Sequence, residues 1–312
     1  MTGIQQPSAD RPGGAPFGRM LTAMITPMAA GGALDADGAA RLATYLVDDM
    51  RNDGLVISGT TGESPTTSNA EKDQLLRAVI EAVGDRATVV AGVGTNDTAH
   101  TIELAQQAER AGADALLVVT PYYNKPPQNG LIAHFTAVAD ATGLPNMLYD
   151  IPGRTGVPIA TETLIQLAQH PRIVAVKDAK GDLGASSQVM LATDLAYYSG
   201  EDMLNLPMLS IGAAGFVSVV GHVVGDRLHE MIDAYLAGRV GEAREIHREL
   251  LPVYIGIMTR TQGAIATKAA LSLLGLPGGT VRGPLIDATP QQVERLRTDL
   301  VAGGVKLPGG AA

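Results

Sequence analysis

Short apolar runs that stop at small or polar residues recur along this chain, and each is followed by a stretch in which apolar positions return with helical spacing. The runs predict strands over 21–27, 54–58, 88–92, 115–119, 146–150, 173–178, 195–199 and 215–219. Helical spacing predicts helices over 35–50, 70–83, from 98 onward, 130–141, 161–169, 185–193, 204–211 and 227–237, with Asp97 placed to cap the third. Strand, small-residue turn and helix, eight times over, predict an α/β fold: a (β/α)8 TIM barrel closed by parallel strands. Periodicity does not itself prove closure, so an open doubly wound sheet stays as the alternative. After residue 241 the pattern is helical only, over 242–257, 263–274 and 290–300, which predicts a C-terminal helical appendage. The domain reading is a flexible lead at 1–19, a barrel at 20–240, and a helical domain at 241–312 whose end is frayed after Lys306.

Composition narrows the function. The 312 residues are 46% hydrophobic and 18% charged, enough for a large packed core. A formal charge of −9 without a Lys/Arg stripe argues against a nucleic-acid partner. There is no cysteine, hence neither a disulfide framework nor a thiolate nucleophile. The Pro- and Gly-rich start lacks the apolar centre of a signal peptide, and no run approaches the roughly 20 apolar residues of a membrane span, so the expected location is the cytoplasm. No His-Glu-x-x-His pattern suggests zinc, no phosphate-binding Gly-rich loop ending in Lys-Ser/Thr is present, and Gly92-Val93-Gly94 fails as a dinucleotide fingerprint because Asp97 stands where the third glycine belongs.

In a barrel, chemistry gathers at the C-terminal ends of the strands, and here those ends are polar. The sixth run, 173–176, is apolar and ends on Lys177. A lysine there can snorkel into water, or burial can suppress its charge so that the amine attacks a carbonyl and forms a Schiff base; the stretch alone leaves both open. Gly59-Thr60-Thr61-Gly62 offers amides and hydroxyls that could seat a small carboxylate, or is an ordinary capped turn. Tyr149 can carry a proton or fill space, and Arg154, after a Pro-Gly turn, can grip a carboxylate or form a surface ion pair. Tyr122 and Tyr123 are adjacent and so point opposite ways in extended chain. Glu201 and Asp202 read as caps of the next helix.

Taken in order, Gly59-Thr60-Thr61-Gly62-Glu63, Thr120-Pro121-Tyr122-Tyr123, Tyr149 with Pro152-Gly153-Arg154, and Lys177 resemble the 4-hydroxy-tetrahydrodipicolinate (dihydrodipicolinate) synthase family, from about residue 21 to the end of the appendage. The resemblance implies condensation of pyruvate with L-aspartate 4-semialdehyde on the route through diaminopimelate to lysine, with no cofactor because the amine itself is the electron sink. It implies that Lys177 carries the Schiff base and that Thr60, Tyr149 and Tyr123 form a proton relay. Tyr123 would reach into a neighbouring subunit's site in a dimer, two of which pair as a tetramer. It further implies that Thr61 binds the pyruvate carboxylate, that Arg154 holds the semialdehyde carboxylate, and that Gly200 and Val217 line the pocket with backbone; Val217 stands where some members carry isoleucine.

Lysine-inhibited members bind lysine at the dimer interface, and Ser64, Asn96 and Tyr122 match that site. Asn69, Lys72 and His100 depart from it, standing where the sensitive enzymes carry two histidines and a glutamate. Loss of the carboxylate and gain of a cation predict weak or absent feedback by lysine. Two alternatives remain at the level of sequence: an aldolase of the same superfamily acting on sugar acids, against which Thr60, Tyr123 and Arg154 speak, and a barrel that binds a ligand without catalysis.

Overall fold

The computed structural model describes residues 14–308. Eight strands, β1 (Met20–Ala23), β2 (Gly54–Ile57), β3 (Thr88–Gly92), β4 (Ala115–Val119), β5 (Asn146–Asp150), β6 (Ile173–Asp178), β7 (Ala196–Ser199) and β8 (Gly215–Ser218), form one closed parallel barrel in chain order. Closure is made where β1 pairs with β8, Leu21 opposite Val217. The open-sheet alternative is thereby excluded. Burial on both faces explains the continuous apolar runs: alternate residues fill the barrel or face the helices. Leu21, Val56, Val90, Leu117, Met147 and Ala175 pack inside, whereas Leu55, Val89, Leu116, Leu148 and Val176 pack outward in a second cluster.

The helices begin where the side chains can satisfy free backbone amides. Asp35 caps Ala36–Asp48, Ser68 and Glu71 form a reciprocal capping box on Asn69–Val83, and Asp97 caps Thr98–Ala111 as its position predicts. The predicted helix over 242–257 is two helices, Val240–Glu249 and Leu251–Met258. Pro252, in the first turn of the second, has no N–H to continue the first and ends it. With Gly263–Leu273 and Pro290–Ala302 these helices pack on Gly221–Leu236. One apolar cluster joins Phe216, Val220 and Leu228 to Ile246, Tyr254, Ala270 and Leu300, so it runs across the 240/241 boundary.

Of the lead at 1–19, residues 1–13 lie outside the described residues, as do 309–312 of the tail. The remainder of the lead is built into the barrel floor. Phe17 is buried against Tyr198, whose hydroxyl donates to the Gly18 carbonyl at 3.0 Å, and the amides of Arg19 and Met20 donate to Asp53 at 2.7 and 3.0 Å. Among the described residues no helix is long and apolar enough to cross a membrane.

Candidate active site

Lys177 and Tyr149 are opposite one another in the β5–β6 register and both face the barrel interior. The Lys177 amine stands 4.3 Å from the centre of the Tyr149 ring, and each residue is only 4% exposed. The side chain does not run out to the protein surface, so the snorkelling alternative fails. Burial disfavours its ammonium form and brings its pKa from the ordinary 10.5 to about 8; Asp202 opposes that shift and Arg154 adds to it. Tyr149 is pushed up to about 12, again chiefly by burial, while Arg154 and the Thr60 hydroxyl act the other way. At neutral pH the phenol thus keeps its proton beside an amine that is readily deprotonated.

Gly200 gives the lysine its room. A Cβ at this position would lie 2.9 Å from Lys177 Cγ and 3.0 Å from Cε, and 3.1 Å from the Asp178 carbonyl. The Gly200 amide donates to that same carbonyl at 2.7 Å, which fixes the backbone next to the lysine.

Above Tyr149 a cavity of about 320 Å³ opens, lined among others by Thr60, Tyr122, Tyr123, Tyr149 and Arg154. Residues from the ends of β2, β4 and β5 thus meet at one mouth, as a rim of polar strand ends predicts. Thr61 is buried in the β2 loop, and Val217 sits in the barrel filling opposite Leu21; neither lines this cavity, nor do Lys177 and Gly200, and the lysine meets it only through the Tyr149 ring. Tyr123 is 89% exposed and holds a left-handed backbone (φ +74°), an unfavourable conformation for a bulky residue.

Of the positions that the resemblance assigns to a regulatory site, two lie at the same mouth. Ser64 and Tyr122 line the cavity. The Lys72 ammonium donates to the carbonyls of Ser64 and Thr67 at 2.8 and 2.5 Å, and burial, partly offset by Glu71, lowers its pKa to about 8. Asn69 Oδ1 and His100 Nε2 are bonded at 3.1 Å, and the Asn96 carbonyl accepts from Asn124 at 2.8 Å.

Asp202 is not the helix cap its position predicts. It is fully buried, and its carboxylate accepts from the amides of Val219 and Val220 at 2.9 and 3.1 Å, from the Ser218 hydroxyl at 2.5 Å, and from Asn205 at 3.1 Å. It ties the end of β7 to the end of β8 and leaves a fixed negative charge near Lys177. Asp150 and Asp178 point outward from the strands that carry Tyr149 and Lys177, and each anchors a loop: Asp150 accepts from the Ile159 amide at 3.2 Å, Asp178 from the Lys180 amide at 2.8 Å. Glu63 is also buried, paired with Lys268 at 2.5 Å across to the appendage. Sequence reasoning missed these anchors. The available signals were an acid at the end of a small-residue turn and a single charged residue, a lysine, within 263–271.

Fold and rim together define a class, the (β/α)8 barrels that hold a buried lysine among polar strand ends. Residues 16–302 match the model of the dihydrodipicolinate synthetase family. The chain is 70% identical over 290 residues to 4-hydroxy-tetrahydrodipicolinate synthase of Acidothermus cellulolyticus, covering 93% of this chain and 94% of that protein. It is 67% identical over 292 residues to 4-hydroxy-tetrahydrodipicolinate synthase 2 of Streptomyces coelicolor, covering 94% and 97%. A crystal structure of the lysine-bound dihydrodipicolinate synthase from Cyanidioschyzon merolae superposes with a TM-score of 0.90 at 42% identity, over 93% of this chain and 99% of that one. The chain belongs to the dihydrodipicolinate synthetase family.

Proposed function

We propose that this protein is a 4-hydroxy-tetrahydrodipicolinate synthase that joins pyruvate to L-aspartate 4-semialdehyde through a Schiff base on Lys177. The observation that carries the chemistry is the buried Lys177 amine over the Tyr149 ring, with its ammonium form disfavoured. The neutral amine attacks the pyruvate carbonyl carbon and the carbonyl oxygen departs as water. Loss of a methyl proton turns the resulting iminium into an enamine, whose carbon bonds to the aldehyde carbon while the aldehyde oxygen takes up a proton; the semialdehyde's amino nitrogen then attacks the re-formed iminium carbon and expels the Lys177 amine, closing the ring and freeing the lysine. Thr60 and Tyr149, which share one cavity wall, are suited to move those protons together with a Tyr123 supplied by a neighbouring subunit.

Thr61 and the neighbouring amides seat the pyruvate carboxylate, and Gly200 and Val217 bound with their backbone the inner end of the site around Lys177, beneath the cavity they do not line. Arg154, whose guanidinium can hold a carboxylate by two parallel bonds, receives the semialdehyde. Tyr123 completes the relay of a neighbouring subunit in a dimer, and two dimers form a tetramer; its nearly full exposure on a fixed, unfavourable backbone supports this. Ser64, Asn69, Lys72, Asn96, His100 and Tyr122 form a regulatory face that lysine occupies weakly or not at all. Lys72 puts a cation there, and the nearby Glu71 carboxylate is already engaged by Arg282 and Ser68. Incubation with pyruvate and borohydride followed by mass mapping tests the reading. An adduct on Lys177 is expected, and its absence would overturn the enzyme assignment. Faster turnover with aspartate semialdehyde than with sugar aldehydes is expected in the same preparation.

A further inference from the structure

The β2 loop that carries Thr60 and Thr61 is held from a part of the chain far away in sequence. Gly62 is fastened by the Thr26 hydroxyl, which donates to its carbonyl at 2.6 Å. Glu63, next in line, adopts a left-handed backbone (φ +54°), which a glutamate does not choose on its own. Its side chain turns away from the cavity into the boundary with the C-terminal helices. There Oε1 lies 2.5 Å from the Lys268 amine, on Gly263–Leu273, and Oε2 accepts the Arg282 amide at 2.8 Å. Lys268 also donates to the Thr280 carbonyl at 2.7 Å, so the pair is locked to the segment leading to Arg282. The Arg282 guanidinium then holds the Thr66 carbonyl at 2.8 Å and the Glu71 carboxylate, just beyond the same loop. Two oppositely charged groups, both almost wholly buried, are a poor means of gaining stability, because an apolar pair of similar volume does as well or better. What the pair supplies is a single geometry.

We propose that Glu63 is a positioning residue: through Lys268 and the Arg282 amide it sets the β2 loop against the C-terminal helices and so places Thr60 and Thr61 for pyruvate. The inference rests on the functional reading given above for those two threonines. It assigns to the helical appendage a part in seating the first substrate, while Arg154, on the separate short helix Pro152–Thr155 after β5, is untouched by it.

The double variant E63Q/K268M removes both charges, leaves no charge unpaired, and keeps an acceptor for the Arg282 amide. With thermal unfolding and circular dichroism as controls for folding, its half-saturation for pyruvate, in turnover and in borohydride trapping alike, rises roughly 10- to 100-fold, as small misplacements of binding groups do. KM for the semialdehyde stays within about twofold of the wild type. A simply structural pair would recover with both charges gone, or would disturb both substrates together. A folded double variant with unchanged pyruvate half-saturation, or with both KM values moved equally, overturns the proposal. Should that variant not fold, E63D decides: it keeps both charges but shortens the tether by one methylene, and the same selective loss for pyruvate is expected, its absence being refutation. Wild-type protein that traps no pyruvate would refute the functional reading itself, whereas trapping by wild type with insensitive variants refutes only the role of Glu63.

Discussion

Gly200→Ala isolates the steric space on which the Lys177 chemistry depends. Gly200 is outside the left-handed region, so alanine can adopt its backbone and the perturbation is the added methyl alone. That methyl would sit 2.9 Å from Lys177 Cγ and 3.0 Å from Cε. Carbon atoms pack best at about 3.5–4.0 Å, so the lysine must yield by roughly half an ångström or more. The backbone cannot absorb this freely, because the Gly200 amide is bonded to the Asp178 carbonyl at 2.7 Å, nor can the amine drift far beneath the Tyr149 ring. Overpacking of this kind costs about 1–3 kcal/mol of stability, which a protein of this size survives with a drop in Tm of a few degrees. Misplacing the attacking amine should slow Schiff-base formation by about 10- to 100-fold, equivalent to about 1.4–2.7 kcal/mol of barrier. The assay is single-turnover trapping of pyruvate with borohydride beside steady-state kcat, on protein shown to be folded by circular dichroism. Wild-type trapping rates in a folded G200A variant would refute the steric reasoning.

The other outcomes follow from the same site. With the Lys177 pKa near 8 rather than 10.5, the uncharged amine at pH 7 is enriched about 300-fold. Since only that form attacks, Schiff-base formation should rise about tenfold per pH unit up to about pH 8 and then level off, and a trapping rate still climbing tenfold per unit at pH 9.5 would contradict it. Tyr149→Phe keeps the ring beside the amine and removes the phenolic proton, so kcat should fall roughly 10²- to 10⁴-fold while the adduct on Lys177 still forms; full activity would remove the tyrosine from the relay. Lysine added during turnover should inhibit weakly or not at all because Lys72 puts a cation on the proposed regulatory face, and Lys72→His should strengthen whatever inhibition exists; a micromolar inhibition constant in the wild type would contradict this.

Sequence reading succeeded where the cause is local. A strand buried on both faces must be an apolar run, so all eight strands are visible within a residue or a few, and a parallel barrel sends all their C-terminal ends to one rim. Lys177, Tyr149, Thr60 and Arg154 were therefore recognisable as a group before any coordinate. What escaped depends on partners far along the chain. Closure rests on Leu21 meeting Val217, and periodicity contains no trace of that pairing. Asp202 looks like a cap because acids at helix starts commonly are, yet its partners lie on the next strand's loop. Glu63 and Lys268 carry no mark that each is the other's counterion. The break in the appendage has a local cause, Pro252, but matching apolar spacing on both sides of it reads as one helix.

The strands β5 and β6 each end on a reactive residue followed by an aspartate, Tyr149-Asp150 and Lys177-Asp178, and the pleat sends the two members of each pair to opposite faces. Because the outward aspartate holds the following loop and the inward residue is the one proposed to meet the substrate, inheritance can act on the two separately. A lineage could exchange inward residues to accept a different aldehyde while the loops keep their footing. Equally, it could lengthen or reshape a loop beyond its aspartate and leave the nucleophile undisturbed. Two neighbouring codons thus govern traits that natural variation can uncouple, which gives a physical route by which one barrel diversifies its substrates without first losing its fold.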